Sequence, residues 1–176
     1  MTARYATNAE IAKWDSLILK NPDGGNVFSS LEYSEIKKLT HYTPHYVIVG
    51  KIAVTVLEKT TPPLGKFWYL PKGPGVTSTK QLFDLLKALK PLAKKAGVFT
   101  IRVESELDRS SQPSLERHGM KKAAPIIPNP STITIDISPT LDDILTGLPQ
   151  KGRHAIRRAG RDGVTVEKVP VTEENA

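Results

Sequence analysis

Phe67-Trp68-Tyr69-Leu70-Pro71-Lys72-Gly73-Pro74-Gly75-Val76, followed by Ser78 to Gly97, reads as a strand, a turn and a long amphipathic helix. The aromatic run suits a pleated, half-buried surface. Gly73 and Gly75 permit backbone torsions and close approaches that a side chain forbids. Ser78-Thr79-Lys80-Gln81 has the spacing of a capping box and predicts the helix start. Leu82, Leu85, Leu86, Leu89 and Leu92 recur at three- and four-residue steps, giving one apolar face. Pro91 predicts a bend near Lys87 or an end to the first helical segment. A strand, turn and helix of this kind aim backbone N–H groups at a helix N-terminus, where anions are favoured.

Upstream, Thr7-Asn8-Ala9-Glu10 is a second capping box, with Ile11, Trp14 and Ile18 following on one face. Asn21-Pro22-Asp23-Gly24-Gly25 closes that helix. Ser29-Ser30-Leu31-Glu32 repeats the start signal and predicts another short helix, with Leu31, Ile36 and Leu39 expected inward and Lys37 and Lys38 on or beside the polar side. Tyr46–Val49 and Ile52–Leu57 read as a hairpin around Gly50-Lys51, and Thr60–Gly65 as a loop before a central strand. Downstream, Val98–Val103 is a strand. If it runs parallel to the first, it delivers Glu104, Glu106 and Asp108 beside the Gly73–Gly75 turn. Strands are also expected over Ser131–Ile137 and Val164–Val169. Short helices are expected after Ser111 and Thr140, and a basic helix over Gln150–Arg161. The result is an α/β (α+β) class, a mixed sheet flanked by helices.

The chain has 176 residues, 39% of them hydrophobic, with a net charge of +7 from 25 Lys and Arg against 18 Asp and Glu. That suffices for one folded α/β domain and favours an anionic partner: nucleic acid, a phosphorylated substrate or an anionic membrane face. There is no cysteine, so disulfides, thiolate chemistry and cysteine-based zinc sites are excluded. The four histidines lack metal-ligand spacing, and no metal is expected. No apolar run approaches a bilayer span, and the N-terminus lacks an apolar signal core. A cytoplasmic chain, with room for peripheral contact at the inner membrane face, is the expectation.

The element order is compatible with the GNAT fold, in which a pyrophosphate binds at such a strand-turn-helix junction. Acetyltransferases open that motif with Arg or Gln, whereas Leu70 stands here, and Pro74 deletes one of the N–H donors. Four stretches then occur in order: Phe28-Ser29-Ser30-Leu31-Glu32-Tyr33-Ser34-Glu35-Ile36-Lys37, Tyr69–Pro74, Thr132–Ile137, and Lys151–Ala159 with Gly163-Val164. Together they resemble the Fem family of peptidoglycan bridge-forming aminoacyltransferases, over nearly the whole chain. The first departs from the family's pattern in having Ser29 for Gln and Tyr33 for Trp.

The resemblance implies two facing GNAT-like domains. Residues 1–148 correspond to the first, and 149–176 to a basic helix and strand leading to a second domain beyond this chain. Such a half is expected to show no transferase activity alone, which a turnover assay with charged tRNA and precursor tests. The implied chemistry is attack of a stem-peptide amine on an aminoacyl-tRNA ester, with aminoacyl-tRNA as co-substrate and no further cofactor. The implied acceptor is a peptidoglycan precursor, either UDP-muramyl-peptide or its lipid-linked form. Two other readings stand beside it: an acyl-CoA-dependent GNAT N-acyltransferase, and a non-enzymatic RNA-binding or adaptor module.

By the resemblance, Lys37 contacts the precursor's diphosphate; the plainer reading is a solvated lysine on a helix. Lys72, Gly73 and Gly75 are candidates to line the same groove, or glycine there serves turn geometry alone. No catalytic residue is assigned. Glu104, Glu106 and Asp108 are candidates to orient an amine or act as a base, against the common fate of surface carboxylates. Arg153, Arg157 and Arg161 fall at four-residue steps, with Arg158 and His154 alongside. Like charges so aligned cost helix stability unless an anion or an acidic partner offsets them. They are expected to meet tRNA phosphates or anionic headgroups, or else carboxylates of the missing domain.

Overall fold

The computed structural model describes residues 1–127 and 135–170. The chain divides into two compact units, Met1–Ile126 and Ile127–Ala176.

In the first unit, β1 (Ala3–Tyr5) leads to two short helices, α1 (Asn8–Ile11) and α2 (Trp14–Ile18). The Thr7 capping box forms in full, with Glu10 N–H donating to Thr7 Oγ1 and Thr7 N–H donating to the Glu10 carboxylate. Then come α3 (Leu31–Lys38), β2 (Thr43–Val49), β3 (Ile52–Thr61), β4 (Gly65–Leu70), α4 (Thr79–Lys95), β5 (Val98–Val103) and α5 (Gln112–Arg117). The sheet has five strands in sequence order, antiparallel through β4 and parallel between β4 and β5. This is the mixed sheet flanked by helices that the sequence predicts. β3 holds the centre in place of β4, and β1 is a strand that the sequence reading missed. Its three residues are too few for a periodic signal.

Alternation along the strands sends side chains to two sides. On one, Val54, Val56, Trp68 and Leu70 pack with Leu82, Leu85, Leu89 and Ala93 of α4. On the other, Ala53 packs with Trp14 and Ile18, and Leu57 and Tyr69 pack with Tyr42. β4 leaves the sheet after Leu70, and the Asn21 side chain takes over at Ala53. Its amide donates to Ala53 O at 2.8 Å and its oxygen accepts from Ala53 N–H at 2.9 Å.

Several expectations are corrected. Of the two outcomes expected at Pro91, the helix end does not occur: α4 runs unbroken from Thr79 to Lys95. Lys87, whose carbonyl loses its partner to Pro91, is on the exposed side, while the buried face anchors both halves. Ile36 and Leu39 point outward, at 59% and 80% exposure; Ser34 is the fully buried residue of α3. A short helix is oriented by its flanking contacts more than by two apolar residues. β3 extends to Thr61, so the expected Thr60–Gly65 loop shrinks to a hairpin turn.

In the second unit, α6 (Leu141–Gly147) and α7 (Gln150–Arg161) lie where the sequence predicts. The strand expected over Ser131–Ile137 falls mostly outside the described residues, and its described end, Ile135–Ile137, is not in a strand. Val164–Val169 is not a strand either: it finds no ladder among the described residues, and Val166 is 93% exposed. β-Branched alternation makes a strand only where a neighbour supplies hydrogen bonds. No helix among the described residues is long and apolar enough to cross a membrane.

Candidate functional site

The turn after β4 is built for rigidity. Pro71, Gly73, Pro74 and Gly75 are buried, while Lys72 is partly exposed with φ at +37°. Gly73 N–H donates to Glu104 O at 2.8 Å, and Glu104 N–H donates to Leu70 O at 3.1 Å, so the parallel pairing continues past β5. Gly75, with φ at +82°, passes so close to Asn21 that a Cβ would stand 2.4 Å from its amide nitrogen. Packing therefore requires glycine there irrespective of any ligand. At the start of α4, the Ser78 hydroxyl accepts from Gln81 N–H, and the Gln81 side chain accepts from Thr77 N–H at 2.9 Å.

The parallel alignment does bring Glu104 beside the turn. Its carboxylate accepts from the Tyr69 hydroxyl at 2.6 Å and from Ile126 N–H. Burial, followed by this bond to Glu104, holds the Tyr69 hydroxyl far above its ordinary pKa, so it remains a donor. Tyr33 is pushed up to about 12, first by burial and then by the Glu104 charge. Tyr42 is raised by burial, against the opposing pull of Arg102. The Glu104 carboxylate thus accepts from the Tyr69 hydroxyl, and its charge adds to the raised pKa values of Tyr33 and Tyr42. Arg102, the register partner of Tyr69, donates to Ala124 O at the rim.

Lys37 is on the same side of the sheet. Its ammonium stands 5.4 Å from the Tyr33 ring centre and 5.5 Å from that of Tyr42. Tyr42 lies 6.3 Å from Tyr69, which completes a path from Lys37 through Tyr42, Tyr69 and Glu104 to Gly73. Glu106 accepts from the Asn26 side chain, and Asp108 turns back to accept from Ser110 N–H, so neither joins Glu104. A cavity of about 1090 Å³ opens along β5. Tyr69, Arg102, Glu104 and Ile126 line one part of it and Lys90 and Lys94 another; Lys37, Lys72, Gly73 and Gly75 are not in its lining. Sequence reasoning missed Tyr33, Tyr42 and Lys59. Their signal was weak, since buried tyrosines and a strand lysine are common features of any sheet.

In the second unit the four named arginines have separate fates. Arg153 donates to Thr146 O and Leu148 O, stapling α7 to the end of α6. Arg158 pairs with Asp162 at 3.1 Å. Arg157 and Arg161 are exposed and have no acidic partner among the described residues. Among the described residues no group of His, Cys, Asp or Glu could hold a metal ion.

No protein-family model and no curated protein matches this chain. Among solved structures, a probable acetyltransferase is similar to it at 17% identity and a TM-score of 0.44, over 80% of this chain and 100% of that one. A wild-type protein of Thermus thermophilus is similar at 17% identity and a TM-score of 0.38, over 80% of this chain and 99% of its own. At that distance neither likeness bears on the chemistry of this chain.

Proposed function

We propose that this chain is the precursor-gripping lobe of an aminoacyltransferase that extends the stem peptide of a peptidoglycan precursor. The observation that carries the reading is the path from Lys37 through the tyrosines to Glu104 and the Gly73 turn. Apart from Tyr42, those residues come from the first two stretches that resemble the Fem family and from the end of β5.

In this reading the diphosphate lies over Lys37, whose ammonium is a mobile point charge suited to it. The peptide stem runs past Glu104 toward the cavity along β5, which is of ligand-binding size. The stem amine attacks the ester carbonyl carbon of aminoacyl-tRNA. A C–N bond forms, the C–O bond to the ribose breaks, and the amine's proton ends on the departing ribose hydroxyl. Glu104, held in place by Tyr69 and Ile126, orients the amine and carries its proton. The turn argues against the coenzyme A alternative: Pro71 and Pro74 have no N–H, and that of Gly73 is already spent on Glu104.

Calorimetry with UDP-muramyl-pentapeptide tests the reading. Lys37→Ala removes a charge-assisted contact and weakens binding by roughly tenfold or more. Equal affinity in wild type and variant removes Lys37 from the site.

A further inference from the structure

Lys37 arrives from α3 and Lys59 from β3, yet both ammonium groups converge on one ring. Lys37 Nζ is 5.5 Å and Lys59 Nζ 4.7 Å from the centre of Tyr42, which is itself only 8% exposed. Other lysines nearby meet carboxylates: Lys38 with Glu35, Lys66 with Glu58. Lys37 and Lys59 have no carboxylate partner among the described residues. The ring's π face offsets only part of their mutual repulsion. An anion held between them offsets far more.

The loop carrying Tyr42 is also braced in advance. Lys37 O accepts from Thr40 N–H at 3.1 Å, from Thr40 Oγ1 at 3.0 Å and from Tyr42 N–H at 3.2 Å. Lys59 Nζ donates to Thr40 O at 3.3 Å, which ties the second lysine to the same loop and leaves its other protons for a ligand. A loop ordered before any ligand arrives, with Lys59 already tied to it, lowers the ordering cost of binding there.

We propose that Lys37 and Lys59 are the two arms of a diphosphate clamp seated on Tyr42, with Lys59 as the arm that no sequence motif marks. The proposal deepens the reading above and rests on it for the identity of the whole substrate. The clamp itself is tested with small probes. Its ligand is a diphosphate ester, nucleotide-linked or lipid-linked.

Calorimetry with inorganic pyrophosphate and with UDP is run on wild type, Lys37→Met, Lys59→Met, the double variant and Lys59→Arg. Each single Met variant is expected to weaken both probes by roughly tenfold. The double variant loses less than the product of the singles, because both arms hold one group. Lys59→Arg keeps the charge and stays within about threefold of wild type. If Lys59→Met also lowers the melting temperature, NMR of ε-carbon-labelled lysines in wild type decides, with both Lys37 and Lys59 signals shifting on adding pyrophosphate. Sedimentation with vesicles carrying a polyprenyl diphosphate, absent with plain anionic vesicles, assigns the lipid-linked source; UDP binding alone assigns the nucleotide-linked one. Wild-type affinity in Lys59→Met, a shift of Lys37 alone, equal binding to plain anionic vesicles, or no binding of any probe overturns the clamp. The first two of these leave the precursor reading standing.

Discussion

The Tyr69 hydroxyl donates to Glu104 Oε2 at 2.6 Å, tying β4 to the residue that follows its parallel neighbour β5. Tyr69 is fully buried. The bond therefore has a structural role whatever reaction the site performs. Tyr69→Phe keeps the ring in the cluster with Leu57 and Tyr42 and leaves the carboxylate oxygen one donor short. Urea unfolding is expected to show a loss of about 1–3 kcal/mol. A change near zero would mean that solvent replaces the hydroxyl without cost.

Three tyrosines with raised pKa values set an alkaline limit. Tyr33, Tyr42 and Tyr69 all have raised pKa values in the fold, with burial the leading cause. Above pH 10, the ordinary tyrosine value, the unfolded chain releases these protons while the folded one retains them. Stability is thus complete below about pH 10 and falls as pH rises toward 12, where Tyr33 titrates. Denaturant midpoints at about pH 8, 10 and 11.5 measure the slope, and Tyr69→Phe should flatten it. A flat profile in wild type would show that the hydroxyls reach water.

Gly75 and Asn21 should be strongly coupled. Gly75→Ala meets the Asn21 amide and also strains a backbone at φ +82°, costing roughly 1–3 kcal/mol. Asn21→Ala leaves the N–H and carbonyl of Ala53 without their partner, at a similar cost. The double variant removes the clash but not the torsional strain, so its loss falls short of the sum. Additive losses would show that the torsion alone demands glycine.

Arg157 and Arg161 lie one helical turn apart and face no acidic group among the described residues. Fluorescence anisotropy with tRNA across a salt series tests whether they meet phosphates. Replacing both with Gln is expected to reduce the slope of log affinity against log salt by about 1.4 for single-stranded contacts. Arg153→Gln, by contrast, should loosen the junction of α6 and α7 with less effect on the slope, because its guanidinium is committed to Thr146 O and Leu148 O. Unchanged binding in the double variant would assign those arginines to a protein partner.

Capping and periodicity are local properties, and they were legible. Thr7, Ser78 and Thr140 each cap the helix that the sequence places after them, the Ser29–Glu32 start signal resolves to a cap at Ser30, and the leucine face of α4 is buried as its spacing predicts. The parallel course of β4 and β5, and with it the arrival of Glu104 beside Gly73, also followed from a strand-turn-helix-strand reading. Where an outcome depended on a distant neighbour, the sequence alone was insufficient. Val164–Val169 has the composition of a strand and no ladder to join among the described residues, and Ile36 and Leu39 follow a helical period yet face outward. The site was decided the same way. Residues 33, 42, 59, 69 and 104 carry no shared motif, and only strand register and the packing of α3 on the sheet bring Tyr69 to Glu104 and Lys37 and Lys59 to the tyrosine rings. A side chain's own chemistry is written in the sequence, but its partners are set by which surfaces exclude water together.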